Sequence, residues 1–225
     1  MVYDFHTHSF LSDGDLAPVE LIRRAVVNGY RVIAITDHAD AGIMKRIIQE
    51  IAASCAQARS YWKDILAIPG VELTHVPATA IAETARYAKE MGAGIVIVHG
   101  ETIVEPVEEG TNLAALSSPD VDILAHPGLI TLEEATLAAK NGIMLEISAR
   151  KGHCLTNGHV AAMAQQTGAK LLLGSDSHSP DDLLDNKHAL KIVRGAGLDE
   201  SACEQVLSVN PLELLKKIHY NKLAQ

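Results

Sequence analysis

The chain has few of the features that mark secreted, disulfide-rich or membrane proteins. It has three cysteines in 225 residues, at widely spaced positions that form no C-x-x-C pair: Cys55, Cys154 and Cys203. We expect reduced cysteines that serve in packing, without a disulfide framework or a thiolate zinc site. No apolar run approaches the ~18–20 residues of a membrane span. Asp4 and His6 stand where a secretory signal would be apolar, so we predict a cytoplasmic protein.

Basic and aromatic residues are also scarce. The sequence has 19 Lys and Arg against 28 Asp and Glu, a formal net charge of −9, with one Trp, five Tyr and two Phe. Binding to long nucleic acids needs a basic face for the phosphates, and single-strand binders add aromatic side chains that stack on bases. We therefore expect neither a long nucleic acid nor a membrane as a partner. The length and the 48% hydrophobic content indicate a single domain over residues 1–225.

Short apolar runs alternate with amphipathic segments along the chain. We predict seven strands, at residues 1–5, 32–36, 65–71, 95–98, 121–125, 143–147 and 171–174. We predict helices at residues 19–28, 43–61, 78–91, 132–140, 160–167, 181–193 and 211–218. This alternation favours an α/β fold whose parallel strands are joined by right-handed crossovers. Thr131, Ser179 and Asn210 each precede an acidic residue by three positions, which predicts three helix-capping boxes.

Histidines and carboxylates gather where the predicted strands end. Nine such residues stand out: His6, His8, Asp13, His38, Glu72, His99, His126, Asp176 and His178. The carboxyl ends of parallel strands meet on one face of such a fold, so we expect these side chains to lie together. Nitrogen and oxygen ligands without thiolates suit zinc, manganese or iron(II). Nine ligands exceed the needs of one ion, so we predict two or three divalent ions sharing a bridging carboxylate.

A cationic turn follows the predicted strand at residues 143–147. Arg150 can bind two phosphate oxygens through its forked guanidinium, and Lys151 adds a second positive charge. His153 is a candidate proton donor to a leaving oxygen. Together with water activated by the ions, this turn favours a small phosphorylated substrate.

An acidic stretch at residues 100–111 carries four glutamates: Glu101, Glu105, Glu108 and Glu109. We interpret it as a solvated loop, with Glu101 the strongest exception because it is nearest to His99; a lid or substrate-contacting loop is the alternative. The other histidines are assigned structural roles: His75, His159, His188 and His219.

Seven segments together resemble the polymerase-and-histidinol-phosphatase (PHP) family. They are Asp4-Phe-His-Thr-His8, Ser12-Asp-Gly14, Thr36-Asp-His38, Gly70-Val-Glu72, Val98-His99, Ala125-His-Pro127 and Gly174-Ser-Asp-Ser-His178. The resemblance implies a distorted TIM-like barrel of seven βα units with a trinuclear metal centre in its mouth. It implies a first metal on His6, His8, Glu72 and Asp176. A second, on His99 and His126, would share Glu72, and Asp13, His38 and His178 would hold a third.

One ligand position departs from part of the family. Some members have a histidine near the place of Asp13. An oxygen ligand favours a harder ion, such as manganese or iron(II), in the third site.

The leading hypothesis is a metal-dependent phosphoesterase that hydrolyses a small phosphomonoester, as a histidinol phosphatase does. Glu72, Asp176 and His153 are its candidate catalytic residues. The alternative is a phosphodiesterase or nuclease that acts on nucleotides or short oligonucleotide ends. Amide hydrolysis by the same metals is less favoured because Arg150 and Lys151 suit phosphate. A non-catalytic module is less favoured because every ligand position is filled.

Overall fold

The computed structural model describes residues 1–218, and a parallel sheet rolled into a barrel forms its centre. Its strands are β1 (Val2–Asp4), β2 (Tyr30–Ile35), β3 (His38–Ala39), β4 (Leu66–Leu73), β5 (Ile95–His99), β6 (Ile123–Ala125), β7 (Met144–Ser148) and β8 (Leu171–Gly174). Neighbouring strands follow the chain order β1-β2-β4-β5-β6-β7-β8, and the short β3 pairs with the end of β4. Beyond β1 and β8, Asp176 N donates to His6 O and His8 N donates to Ser177 O, both at 2.9 Å. These bonds bring the two edges together, and the predicted distorted α/β barrel is confirmed.

Helices surround the barrel. They are α1 (Pro18–Val27), α2 (Met44–Tyr61), α3 (Ile81–Glu90), α4 (Thr111–Ser117), α5 (Leu132–Asn141), α6 (Asn157–Thr167), α7 (Asn186–Gly195), α8 (Glu200–Glu204) and α9 (Asn210–Lys217). Apolar positions spaced three or four residues apart give each longer helix a face that packs on the sheet; in α1 this face includes Leu21, Ile22 and Ala25. Among residues 1–218 no helix is long and apolar enough to cross a bilayer.

The inside of the barrel is apolar at one end and polar at the other. Phe5, Ile68 and Ile97 pack inside it with Leu214 and Leu215 of α9, which lie near the amino ends of the strands. Histidine and carboxylate side chains begin above this apolar layer, at the carboxyl ends of the strands. The layer therefore gives the polar end a dry, closely packed floor.

Two of the three predicted capping boxes are present. Thr131 caps α5, and Ser179 caps a short 3₁₀ turn, Pro180–Asp182, ahead of α7. The third prediction is wrong because Asn210 continues a helical run from α8 through a π-helical turn into α9. The buried Asn210 amide donates instead to the Leu171 carbonyl, at 2.8 Å. Helices α4 and α8 were not predicted, and His219 lies outside the described residues.

Candidate metal centre

The nine predicted ligands lie together at the carboxyl end of the barrel. Their ligand atoms form four overlapping groups, each with its atoms within 4.8 Å of one another. The groups are His6, His8 and Glu72; His6, His126 and Asp176; His99, His126 and His153; and His8, Asp13, His38 and His178. The structure thus brings all nine predicted ligands together and places His153 among them.

Strand ends and an unusual backbone conformation aim these side chains. His99 is the last residue of β5, and His126 follows β6 directly. His126 and Asp176 have positive φ angles, 25° and 52°, which are uncommon for residues other than glycine. Such conformations persist only where the surroundings enforce them, and they concentrate at functional sites.

Glu72 lies at the centre of the cluster. Its Oε2 is 2.8 Å from His38 Nδ1 and 3.3 Å from His6 Nε2, and its Oε1 is 3.6 Å from His126 Nε2. Burial raises the pKa of Glu72, but the charges of His6 and His38 outweigh this effect and hold that pKa well below its usual range. The carboxylate therefore stays ionised and faces three groups of imidazoles, as a bridging ligand must.

Several buried polar atoms of the cluster lack a hydrogen-bond partner among residues 1–218. They are His6 Nε2, both ring nitrogens of His8, Glu72 Oε1 and His126 Nδ1. An unsatisfied buried polar group costs about 1–3 kcal/mol, so a cluster of them in a native protein requires an explanation. Cations between the rings and carboxylates would satisfy the Glu72 oxygen and one nitrogen of each ring, since a neutral imidazole offers one lone pair. The donor set, which is nitrogen and oxygen only, fits divalent ions such as zinc, manganese or iron(II).

Asp13 forms the outer part of the cluster. Its Oδ1 lies 3.2 Å from His178 Nε2 and 3.5 Å from His38 Nε2, and its side chain is 54% exposed. The preceding loop is fixed by the carboxylate of Asp37, which accepts hydrogen bonds from Ser9 N and Ser12 Oγ at 2.7 and 2.6 Å. Asp37 thus helps to position Asp13. The sequence analysis did not assign Asp37 a role in the site, although it adjoins His38.

The cluster opens into a cavity of about 250 Å³. Its lining comprises Asp13, His38, Glu72, Thr74, His75, His99, Glu105, His126, Arg150, His153, Asp176 and His178. Arg150 is half-buried, donates from Nη1 to the Asp176 carbonyl at 3.2 Å, and has Nε 3.7 Å from Asp176 Oδ2. Lys151 is exposed and does not line this cavity. The predicted cationic turn therefore presents one of its two charges to the site.

Glu146 is a site residue that the sequence interpretation missed. It lies in β7, is buried, and accepts a hydrogen bond from His6 Nδ1 at 2.6 Å. This contact leaves His6 Nε2 directed at Glu72, 3.3 Å away. A single carboxylate within the apolar strand Met144–Ser148 was the available signal, because a buried acid needs a partner.

His153 lies with His99 and His126 in the third of these groups. Its Nδ1 is 2.8 Å from the Thr102 hydroxyl, and its ring stacks on His126 with 4.1 Å between centroids. Burial and the charge of His126 lower the pKa of His153 to about 4. A neutral imidazole is a suitable metal ligand, and the role of His153 as a proton donor stays a prediction.

The acidic stretch contains one residue that reaches the cluster, and it is Glu105 rather than Glu101. Glu101 accepts hydrogen bonds from Gly110 N and Asn112 N, at 3.0 and 2.8 Å, where α4 begins. Glu105 has Oε2 3.1 Å from His99 Nε2 and Oε1 3.3 Å from His153 Nε2. The expectation of a fully solvated loop was wrong at this position.

This fold is shared with solved structures, among them the following two. The first is a cryo-EM structure of archaeal ribonuclease P with mature tRNA: the TM-score is 0.72 at 14% identity, covering 96% of this chain and 91% of that one. The second is histidinol phosphate phosphatase from Lactococcus lactis, complexed with zinc, L-histidinol and phosphate. Its TM-score is 0.62 at 18% identity, covering 88% of this chain and 94% of that one. At these identities the likeness concerns the fold alone.

Sequence comparison identifies the family. The chain is 51% identical to an uncharacterized protein of Methanocaldococcus jannaschii, over 97% of this chain and all of that protein. It is 27% identical to a probable phosphatase of Thermoanaerobacter, over 89% of this chain and 88% of that protein. The PHP domain matches residues 4–190, which include all nine ligand candidates. The chain therefore belongs to the PHP domain family.

Proposed function

We propose that the protein is a metal-dependent phosphoesterase that hydrolyses a small phosphomonoester of the histidinol phosphate type. One observation carries the proposal: buried, unpartnered imidazole and carboxylate atoms converge on a cavity that Arg150 also lines. Bound divalent ions would neutralise phosphoryl charge and activate a water molecule for attack.

The protein's own residues would hold the ions and the substrate. Glu72 faces the imidazoles of three groups and is suited to bridge two ions, while Glu146 orients His6 through its Nδ1. Asp176 lies 3.3 Å from His8 and 3.4 Å from His178, so it can serve the first and fourth groups. Burial raises the pKa of Asp176, but the charge of His6 outweighs this and keeps that pKa below its usual value.

Arg150 is the proposed phosphate contact. Its Nη1 donates to the Asp176 carbonyl, and a guanidinium has five N–H donors in all, so others can address a ligand in the cavity. An Arg–phosphate pair held by two hydrogen bonds is among the stronger charge-assisted contacts. A carbonyl substrate would have little need for this cation, so Arg150 favours phosphoester over amide hydrolysis.

The size and charge of the site favour a small substrate. A cavity of about 250 Å³ can hold a compact monoester. A long nucleic acid would meet a protein of net charge −9, whereas phosphate-backbone binding relies on a basic face. The proposed partner is thus a small phosphorylated metabolite in the cytoplasm.

A second candidate is phosphodiester hydrolysis at nucleotides or short oligonucleotide ends. The observation that favours it is the shared fold with a protein chain from the structure of archaeal ribonuclease P with mature tRNA. A purely structural role in such an assembly would leave the complete ligand set without a purpose.

A substrate screen separates these possibilities. The purified protein, loaded with zinc, manganese or iron(II), is assayed against phosphomonoesters, phosphodiesters and amides. We expect release of inorganic phosphate from at least one small monoester. Preferential cleavage of diesters would favour the second candidate, and inactivity of the loaded protein on all three classes would contradict both.

A further inference from the structure

The loop between β5 and α4 places a carboxylate against His99 and His153 of the third group. Glu105 is 39% exposed, yet each of its oxygens addresses a different buried ring: Oε2 lies 3.1 Å from His99 Nε2 and Oε1 lies 3.3 Å from His153 Nε2. His75 flanks the same carboxylate, with Nε2 3.8 Å away. Three imidazoles thus surround one loop carboxylate at the edge of the cavity.

The loop is anchored on both sides of Glu105, so this position is a defined one. Thr102 is buried and its hydroxyl lies 2.8 Å from His153 Nδ1. After Glu105, the backbone N–H groups of Gly110 and Asn112 donate to the Glu101 carboxylate, at 3.0 and 2.8 Å, and tie the end of the loop to its beginning. Gly128 has φ of +62°, and a side chain there would collide with the carbonyl of Glu101. The backbone that carries Glu105 therefore packs closely against its neighbours.

The distances match those between ligands of one ion. A tetrahedral ion with ligands at about 2.0–2.1 Å has its ligand atoms about 3.3 Å apart. Each Glu105 oxygen lies at about this separation from one imidazole nitrogen: Oε2 is 3.1 Å from His99 Nε2, and Oε1 is 3.3 Å from His153 Nε2. The ring nitrogens of His99, His126 and His153 already lie within 4.8 Å of one another. Glu72 adds one carboxylate oxygen beside this group from β4, and Glu105 adds another from the loop.

We propose that Glu105 is a further ligand of the second ion, which His99, His126 and His153 hold beside the bridging Glu72, whose Oε1 lies 3.6 Å from His126 Nε2. The inference rests on the proposed metal loading and extends it. The second ion would depend on a surface loop, whereas the first ion would be held by strand ends alone. Its retention would therefore respond to changes in a loop that leaves the barrel intact.

The test compares two variants of the same loop. Glu105→Gln removes the ligand charge, and Glu109→Gln removes an equal charge at an exposed position whose side chain has no described hydrogen bond or ion pair. Each protein is equilibrated with zinc at buffered free concentrations, and bound zinc is measured by elemental analysis. Cobalt(II) absorption spectra report any change in coordination number. Thermal unfolding in a chelator checks that the metal-free variants fold alike.

We expect Glu105→Gln to bind one zinc ion at least ~10-fold more weakly than the wild type and to alter the cobalt spectrum. Glu109→Gln should match the wild type in both measurements, and Glu105→His should recover part of the lost affinity. Equal zinc affinity and equal cobalt spectra in Glu105→Gln and wild type would overturn the assignment and leave the proposed function standing. A wild-type protein that binds no zinc, manganese or iron(II) would overturn the proposed function itself.

Discussion

The carboxylate of Glu146 and the imidazole of His6 form a buried pair, with 2.6 Å between Oε2 and Nδ1. The pair links the interior of β7 to the segment that follows β1. It fixes which ring nitrogen of His6 faces the cavity, because a ring that donates from Nδ1 presents its Nε2 lone pair to the centre of the cluster. The candidate metal site thus consists of ligand residues and of residues that orient them, and Glu146, inside the barrel, is one of the latter.

Replacement of Glu146 by Gln should weaken metal binding. The amide keeps the size of the side chain but removes the charge that strengthens the ligand His6, so zinc affinity should fall by about 10–100-fold. Competition with a chromophoric chelator measures the zinc affinity. The surface variant Glu133→Gln provides the control, and unchanged affinity in Glu146→Gln would remove Glu146 from the metal site.

Gly174 should tolerate no larger residue. An added Cβ would collide with the carboxylate of Glu146 and lie 3.1 Å from His6 Cβ. Glu146 cannot retreat without breaking its bond to His6, so we expect Gly174→Ala to lower the free energy of unfolding by about 1–3 kcal/mol and to weaken metal binding. Gly195→Ala is a matched control because its Cβ would meet nothing within 4 Å. At this helix position Ala should be neutral or stabilise by up to about 1 kcal/mol, as measured by denaturant unfolding.

Arg150 and Lys151 should differ sharply although they are neighbours. Arg150 lines the cavity and Lys151 does not. Arg150→Ala should raise KM and lower kcat/KM, with a loss of transition-state stabilisation of about 1.5–3 kcal/mol, since a charge-assisted contact is lost. Metal content should stay unchanged. Arg150→Lys should recover part of the loss, whereas Lys151→Ala should behave as wild type. Steady-state kinetics on the best monoester would decide; normal kinetics in Arg150→Ala would mean that the guanidinium makes no substrate contact.

Much of the site could be predicted because strand direction alone determines it. His99 ends β5 and His126 follows β6, so apolar runs were sufficient to locate them. Glu105 could not be found in this way because its position depends on how the loop packs around Gly128, far away in sequence. His153 was selected as a proton donor, but its place beside His99 and His126 was not predicted, since the position of a 3₁₀ turn relative to β5 and β6 has no periodic signal in the sequence.

The fold was predictable for a similar reason. The prediction of its elements failed where local signals conflict with tertiary packing. The pattern of strands and helices fixed the order of the barrel through alternation of apolar runs. Asn210 followed by Pro looked like a helix start, but the preceding turn continues as a π-helix and the amide serves the Leu171 carbonyl. Short helices such as α4, at Thr111–Ser117, have too few turns to show a period.

Metal binding should stabilise the protein more in weakly alkaline than in acidic solution. The imidazole ligands must lose their protons to bind, and an ordinary imidazole has a pKa of about 6.5. Zinc at about 100-fold above its dissociation constant should add about 2.7 kcal/mol to the free energy of unfolding. The increase in Tm should therefore be larger at about pH 8 than at about pH 5.5, as measured by calorimetry with and without zinc. An increase that did not depend on pH would argue against histidine ligands.

Ions gathered around Glu72 are proposed to carry out phosphoester hydrolysis. The direct measurement is phosphate release from the best monoester by the metal-loaded wild type, the chelated wild type and the metal-loaded Glu72→Gln variant. We predict activity in the first, its loss on chelation with recovery after metal is restored, and a fall by orders of magnitude in a folded Glu72→Gln protein, because the amide lacks the charge that holds two cations together. Near-normal turnover in folded, metal-loaded Glu72→Gln, or in the chelated wild type, would contradict the account.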